Sequence, residues 1–590
     1  MKKRIRVLLY CVLPAALLLF AAVGWLRNQA LAAGRDLTAA QSDMSRLRTE
    51  VTAGDLVAAR RLLDKDTALT SDAQHRVSGA LWSAASYVPM AGRSARTVRG
   101  MAEAANRLTH SALPELIDAV DELRGAQGGR PGTRIDLRAL SASEPSFDAA
   151  SRTFEAVTGL VDRLPRSTGI SRLDVARSQF YQRAANMSAA VSQIDGIVHE
   201  MPSILGSDGA RRYFLAIQTN AEARGTGGLV GAYGIVTADH GALHFERFGS
   251  DDEIPPVDTT QRTRLATGAK PSVAAPRPED RGQEAVLLAE SNLSPDFPTA
   301  AVTWTSQWRR VTGEQLDGAV ATDPVGLADL LGAIGAVTLP DGEHISSRNA
   351  VSMIEQGEYA RFADPVRRKR FLVSTARAVS VAFETRKASS QAMLRALYAM
   401  VDSGRLRVWS TDQKEQAALS RTVLGGALQP APGPFAELVT NNAAGTKLDY
   451  YLDREVDYTL GPCREGLRRT HVRIVLRNNA PSNGLPEYVV WRSDAGAAGR
   501  PAGSNKLRVS LYAAVGARLS GAQLDGRAVA LSPGLESRHP VFSTMLELAA
   551  GQSSVLKLDL EEPVVSVPAR TPVQPLARPQ RTSVADLGCG

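Results

Sequence analysis

Cysteine is nearly absent: Cys11, Cys463 and Cys589 are the only three in 590 residues. So few exclude a cysteine-rich metal ribbon and a disulfide-dense scaffold. Cys463 and Cys589 form a candidate pair, although the sequence fixes no distance between them. A G-x-S-x-G elbow, a Walker-type phosphate loop and histidine pairs at metal-ligand spacing are also missing, which removes the standard hydrolase and NTPase readings. His199, His240, His244, His344 and His471 are scattered singly and read as ordinary polar or packed histidines. No nucleic-acid motif or dense basic helix occurs, so a nucleic-acid partner is excluded.

The length implies about three structural units. Hydrophobic content of 44% against 22% charged residues is that of a globular chain able to bury real cores. The net charge is +8, and Lys2, Lys3, Arg4 and Arg6 precede the first apolar run. That balance suits anionic lipids or wall polymers. Val7 to Leu26, VLLYCVLPAALLLFAAVGWL, is free of charge and matches a hydrocarbon core of about 30 Å. Its basic flank predicts a single-pass transmembrane anchor with a cytoplasmic N-terminus and a bulk outside the cytoplasm, at the cell membrane and envelope. Ala30-Leu31-Ala32 resembles a signal cleavage site, but the run is longer than a signal core, which favours a retained anchor.

From Asp36 to Met201 the pattern is helical. Val98, Met101, Ala105, Leu108 and Ala112 recur at three and four residues, as do Phe180, Ala184, Met187, Val191, Ile194, Val198 and Met201. Breaks at Gly128–Gly132 and Pro165–Gly169 divide this region into pieces of a helical stalk or bundle. Strand-type runs then appear at Tyr213–Ile217, Leu229–Val236 and Leu243–Phe248, and residues 255–282 read as a mobile loop. Helical patterns at Thr299–Val311, Pro324–Ala333 and Val366–Arg386 alternate with strands at Gly318–Ala321 and Ala336–Leu339, which predicts an α/β domain with a mixed sheet. After about residue 445 alternating runs such as Thr470–Leu476, Leu507–Ala513 and Ser554–Leu560 predict a β-sandwich. The expected organisation is thus tip and anchor 1–33, helical stalk 34–205, α/β domain 206–445, β-sandwich 446–567 and a loose tail 568–590.

Two clusters are candidates for chemistry. Around Arg224-Gly225-Thr226-Gly227-Gly228 the glycines allow close backbone approach, so exposed amides there can form an anion nest with Arg224 as a fork of donors. A tight hairpin with a surface arginine is the equal alternative. Arg361 to Arg370 places Asp364 as an N-cap before Pro365, with Arg367 and Arg370 on one helical face. Together with Arg361 these arginines can clamp a pyrophosphate; a solvated basic face is the bland alternative.

Four ordered segments, Tyr213–Tyr233, Asn292–Pro298, Leu316–Pro324 and Asn441–Tyr451, resemble the membrane-anchored bacterial family called domain of unknown function 4012, over most of residues 200–560. A remoter resemblance is to the LytR–CpsA–Psr phosphotransferases, which transfer glycopolymers from polyprenyl-pyrophosphate carriers to the cell wall. Asp364, Arg367 and Arg370 match that family's late Asp/Arg/Arg spacing, with Arg361 matching an upstream arginine. The resemblance implies phosphate binding by Arg224, Thr226, Gly227, Gly228, Arg361, Asp364, Arg367 and Arg370, with a divalent metal such as Mg as cofactor. It departs at Thr226, where the family carries a metal-binding aspartate; Asp251, Asp252 or Glu222 are the candidate substitutes. The expectation is an envelope protein that binds or transfers polyprenyl-phosphate-linked glycopolymers, as a phosphotransferase-like enzyme or as a non-catalytic scaffold or binder of anionic wall polymer.

Overall fold

The computed structural model describes residues 2–89, 91–125, 134–255, 257–258, 285–286, 288–386, 388–494, 501–565 and 567–589, with side chains except at 2–21, 23, 48, 52–53, 91, 124–125, 257–258, 285–286 and 390. Most of the loop expected over 255–282 and the break at 128–132 lie outside the described residues. The chain forms two compact units, one of residues 1–126 and 138–199 and one of residues 127–137 and 200–590.

The first unit is helical. Its longer helices are α1 (Lys2–Ala53), α2 (Leu56–Ser78), α3 (Ala91–Arg107), α4 (Leu113–Gly125), α5 (Leu137–Asp162) and α6 (Ser171–Ile204), the last of which ends in the second unit. A π-turn, Leu108–Ala112, joins α3 to α4. In α2 the buried residues Leu56, Ala59, Leu63, Asp66, Thr70, Ala73 and Val77 fall at helical spacing, so one stripe faces the core.

The expected transmembrane anchor, and the single-pass membrane location built on it, are corrected. Among the described residues no helix is long and apolar enough to cross a membrane; over most of Val7–Leu26 the backbone is described as helix without its side chains. From Leu26 onward α1 carries charges at Arg27, Arg35, Asp36 and Asp43. Its apolar residues Leu26, Ala30, Ala33, Leu37, Met44, Leu47 and Val51 form a stripe that packs on the other helices of the unit.

The second unit begins with a five-stranded mixed sheet of β1 (Arg211–Arg224), β2 (Gly227–Asp239), β3 (Ala242–Ser250), β4 (Gly318–Thr322) and β5 (Arg407–Ser410), in the order β3-β2-β1-β4-β5. Only the β1–β4 pair is parallel. Helix α7 (Phe297–Thr312) covers one face, where Trp304 and Trp308 are buried with Phe214, Ala216, Tyr233 and Ile235. Asp296 caps its start and Gly313, at φ 77°, ends it. Helices α8 (Pro324–Ile334), α9 (Pro365–Thr385) and α10 (Ser390–Asp402) follow. Val236 points away from the face of its neighbour Ile235 and pairs with Phe245. Phe383 of α9 meets Phe245 edge-on, so α9 covers the opposite face from α7.

A four-stranded and a six-stranded sheet complete the unit. The first runs β6 (Ala436–Asn442), β9 (Asn505–Ala513), β12 (His539–Leu548), β11 (Ser532–Glu536); the second contains β10 (Arg518–Leu524), β13 (Ser553–Pro563), β8 (Leu467–Asn478), β7 (Leu452–Arg464) and β14 (Gln580–Asp586), with a short strand at Arg527–Ala528 on its edge. Alternate residues of both, among them Val456/Tyr458/Leu460, Ile474/Leu476, Leu507/Val509/Leu511 and Leu556/Leu558/Leu560, share one core, as a sandwich requires. The sandwich starts at Ala436, inside the span assigned from the sequence to the α/β domain.

The tail expected to be loose from 568 is ordered, which is a second correction. Bridges at Phe435–Arg570 and Leu438–Val573 begin it. Gln574 is buried, accepting from the Thr440 amide (2.9 Å) and hydroxyl (3.0 Å) and donating to the carbonyls of Thr440 and Arg224, both at 2.7 Å. Arg405 and Arg454 donate to the carbonyls of Leu576 and Gln574. Strand β14 then pairs parallel to β7, and Cys463 is disulfide-bonded to Cys589, Cα to Cα 4.6 Å. Backbone pairing and buried polar bonds hold this segment where hydrophobicity alone would not.

Candidate functional site

The register of β1 against β2 breaks between Thr219 and Ala223, so Asn220, Ala221 and Glu222 have no partner on β2. The amides of Asn220, Ala221 and, at the end of the bulge, Ala223 turn to buried carboxylates. Glu355 accepts from the amides of Asn220 (2.8 Å) and Ala221 (2.5 Å), and Asp449 from that of Ala223 (2.8 Å). Asn442 and Asn505 donate to Asp449 as well, both at 2.7 Å.

Glu355 sits in a π-turn, Met353–Gly357, and Glu358 opens the short helix that follows. Burial pushes Glu355 up to about 8 against the lowering pull of the two amides. Burial, reinforced by the charge of Glu355, raises Glu358 well above the ordinary carboxyl range, while Arg368 opposes the rise. Two carboxyls so placed retain a proton between them at neutral pH.

Arg368 is 4% exposed, and its guanidinium carbon lies 3.7 Å from the centre of the Tyr488 ring. One nitrogen, Nη1, donates to the carbonyls of Phe362 (2.7 Å) and Ala363 (2.8 Å). Lys447 approaches the same ring at 4.6 Å and pairs with Glu222 at 2.9 Å. Tyr359 stacks on Tyr488 with centroids 5.9 Å apart. Two polar atoms are left over: Glu358 Oε2 and Arg368 Nη2 are buried without a hydrogen-bond partner among the described residues. The two groups feel each other's charge, yet no ion pair joins them. An unsatisfied buried polar atom costs about 1–3 kcal/mol, and both of these atoms carry that cost.

The residues singled out in the sequence go to several different partners. Arg224 is buried, donating to the carbonyls of Ala289 (3.1 Å) and Ala223 (3.0 Å). Thr226 accepts from Gln218 and Asn292, both at 2.7 Å. A Cβ on Gly228 would lie 2.2 Å from the Thr219 carbonyl oxygen, and one on Gly225 2.3 Å from that of Leu293. Gly227, at φ 137°, lies against Pro575. These glycines therefore serve close packing of protein on protein. Arg361 pairs with Glu343 (2.5 Å) and Asp341 (3.2 Å). Asp364 caps α9 by accepting from the Val366 amide. Arg367 and Arg370 are exposed on its first turns, without a partner among the described residues.

The acids expected to substitute at a metal are committed to lysines: Asp251 and Asp252 to Lys369 (2.8 and 3.1 Å), Glu222 to Lys447. Among the described residues no group of three or more His, Cys, Asp or Glu can hold a metal ion.

Residues 208–359 match the family model of DUF4012, a protein of unknown function. This span is shorter than the 200–560 the resemblance suggested. Neither the curated proteins nor the solved structures yield a match to the chain. The DUF4012 segment runs from the start of β1 to Tyr359, so it contains the β1 bulge, Glu355 and Glu358, while Arg368, Lys447 and Tyr488 lie beyond it. Three of the four resemblance segments meet around the glycine turn: Asn292 donates to Thr226 and Gly228, and Asn441 to the Leu293 carbonyl. Sequence reading passed over Glu355 and Glu358; their signal was two acids three apart, flanked by Met353-Ile354 and Tyr359-Ala360.

Proposed function

We propose that this chain is a non-catalytic binding protein for an anionic glycopolymer, taking a sugar or polyol unit at the Glu358–Arg368 centre. The carrying observation is that two atoms of opposite hydrogen-bonding character, Glu358 Oε2 and Arg368 Nη2, are buried without a partner among the described residues, the second on the guanidinium that lies over the Tyr488 ring. A hydroxyl both donates and accepts, which is what this pair lacks. Arg367 and Arg370, exposed and unpaired on the adjoining first turns of α9, supply charge-assisted contacts to phosphate along the polymer. The resemblance to LytR–CpsA–Psr proteins supports a phosphate-bearing glycopolymer, of the kind carried on polyprenyl phosphate, as the ligand. Transfer chemistry is not part of the reading, because Thr226 and the lysine-paired acids offer no free carboxylate at the glycine turn.

The test is titration calorimetry of the full chain with poly(ribitol phosphate), with neutral dextran as control. Glu358→Met removes the polar atoms at similar size, and binding should fall at least about tenfold while thermal stability holds or rises, since a buried oxygen without a partner has gone. Arg367→Ala with Arg370→Ala should weaken binding and flatten its salt dependence. Equal affinity across wild type and both variants would overturn the proposal.

A further inference from the structure

Within the helical unit, α2, α3 and the residues around the end of α5 line a half-open cavity of about 290 Å³, just below the usual range of about 300–1,000 Å³ for ligand sites. Its floor is apolar: Val77 is buried, and Leu160 and Leu164 are half-buried. A Cβ on Gly100 would stand 2.4 Å from Leu164 Cδ2, so the glycine lets that leucine close the wall against the α3 backbone. One edge is cationic. Arg96 and Arg99 lie three residues apart on α3, both lining the cavity. Arg96 donates only through Nε, to the Gly92 carbonyl, and Arg99 only through Nη1, to Ser86. Their remaining nitrogens have no partner among the described residues. The acid in the lining, Glu103, is already paired with Arg107 at 2.5 Å.

We propose that this cavity binds an amphiphilic anion: the carboxylate of a medium-length fatty acid on Arg96 and Arg99, with the acyl chain over Val77, Leu160 and Leu164. A neutral hydrocarbon leaves both guanidinium groups unused, and a small inorganic anion leaves the leucines unused. A carboxylate on a chain uses both surfaces, and its two oxygens suit the planar fork. The site is separate from the Glu358–Arg368 centre and does not depend on the reading given for it.

The experiment is calorimetric titration of the full chain with decanoate, with decanol and decyltrimethylammonium at equal concentration. Decanoate should bind at one site. Arg96→Ala with Arg99→Ala should weaken it roughly tenfold or more, and Leu160→Trp, which fills the floor, should abolish it, with the helical circular dichroism unchanged in both. Decanol should bind far more weakly, and the cationic amphiphile not at all. No decanoate binding by the wild-type chain, equal binding of decanol, or retained affinity in the double arginine variant would each overturn the assignment.

Discussion

Replacing Asp66 by asparagine should stabilise the helical unit at neutral pH and remove most of its sensitivity to pH between about 4 and 6. Asp66 occupies the buried stripe of α2, is 0% exposed, and neither of its carboxylate oxygens has a hydrogen-bond partner among the described residues. Burial first, and the charge of Asp43 second, push its carboxyl from 3.8 up to about 6, with Lys65 opposing. The folded unit therefore holds a proton that the unfolded chain releases. This contribution to stability is fully present below about pH 3.8, is lost as pH rises towards 6, and is flat above. The change corresponds to an upper figure of about 3 kcal/mol, or roughly 6–12 °C in Tm for a unit of this size. Asparagine keeps the shape and cannot ionise. Asp195 shifts in the same direction and is present in both proteins, so the difference between their pH profiles isolates Asp66. Hydrogen exchange at the amides of α2, measured from pH 4 to 8, reads the local stability without requiring two-state unfolding of the whole chain. Parallel profiles for wild type and variant, or a variant less stable at pH 7, would refute the reasoning.

Gly228→Ala should destabilise the second unit by about 2 kcal/mol or more, because its Cβ would meet the Thr219 carbonyl at 2.2 Å and backbone cannot yield as a side chain does; chemical denaturation measures it. Gln574→Ala, which strips four hydrogen bonds from a buried site, should cost about 2–4 kcal/mol and expose residues 570–579 to protease. Cys589→Ser should open a loop of sequence separation 126, worth about 4–5 kcal/mol by chain entropy, and lower the melting temperature of the oxidised protein but not of the reduced one.

Periodicity was the readable part of this chain. Strands at 213–217, 229–236 and 318–321 and helices at 299–311 and 366–386 stand out because each buries a face against the five-stranded sheet, and burial writes period 2 or 3.6 into the residues. The segment 570–586 buries little; β14 is half-exposed at Gln580 and Thr582 and exposed from Ser583 on, and backbone pairing with the Ser583–Asp457 hydrogen bond holds it on β7, which leaves no trace in side-chain hydrophobicity. At the site, Arg367 and Arg370 share a face as their spacing requires, and that face is the exposed one. The buried arginine is Arg368, one step round the helix. A run of four basic residues carries no phase of its own, so only the packing of Tyr488 on α9 shows which of them the fold consumes. Val7–Leu26 misled for a related reason: a long uncharged run was weighed without the rest of its helix, where the apolar stripe from Leu26 to Val51 packs within the bundle.

The late strand β14 and the Gln574 plug also impose an order on how the chain is made. Everything the helical unit needs has been synthesised by residue 199, so that unit can fold first, as N-terminal domains do. The second unit must wait: at cellular rates of about 5–20 residues per second, some 20 to 80 s pass between Glu200 and Asp586. Once β7 has been made it stays an unpaired edge until β14 follows, and Arg224, Thr440 and Asn220, as each is made, hold open hydrogen-bonding groups that the last segment satisfies. A nascent chain at this stage is a substrate for chaperones and for strand-to-strand aggregation, and a stall near residue 568 should leave the unit in that vulnerable state indefinitely.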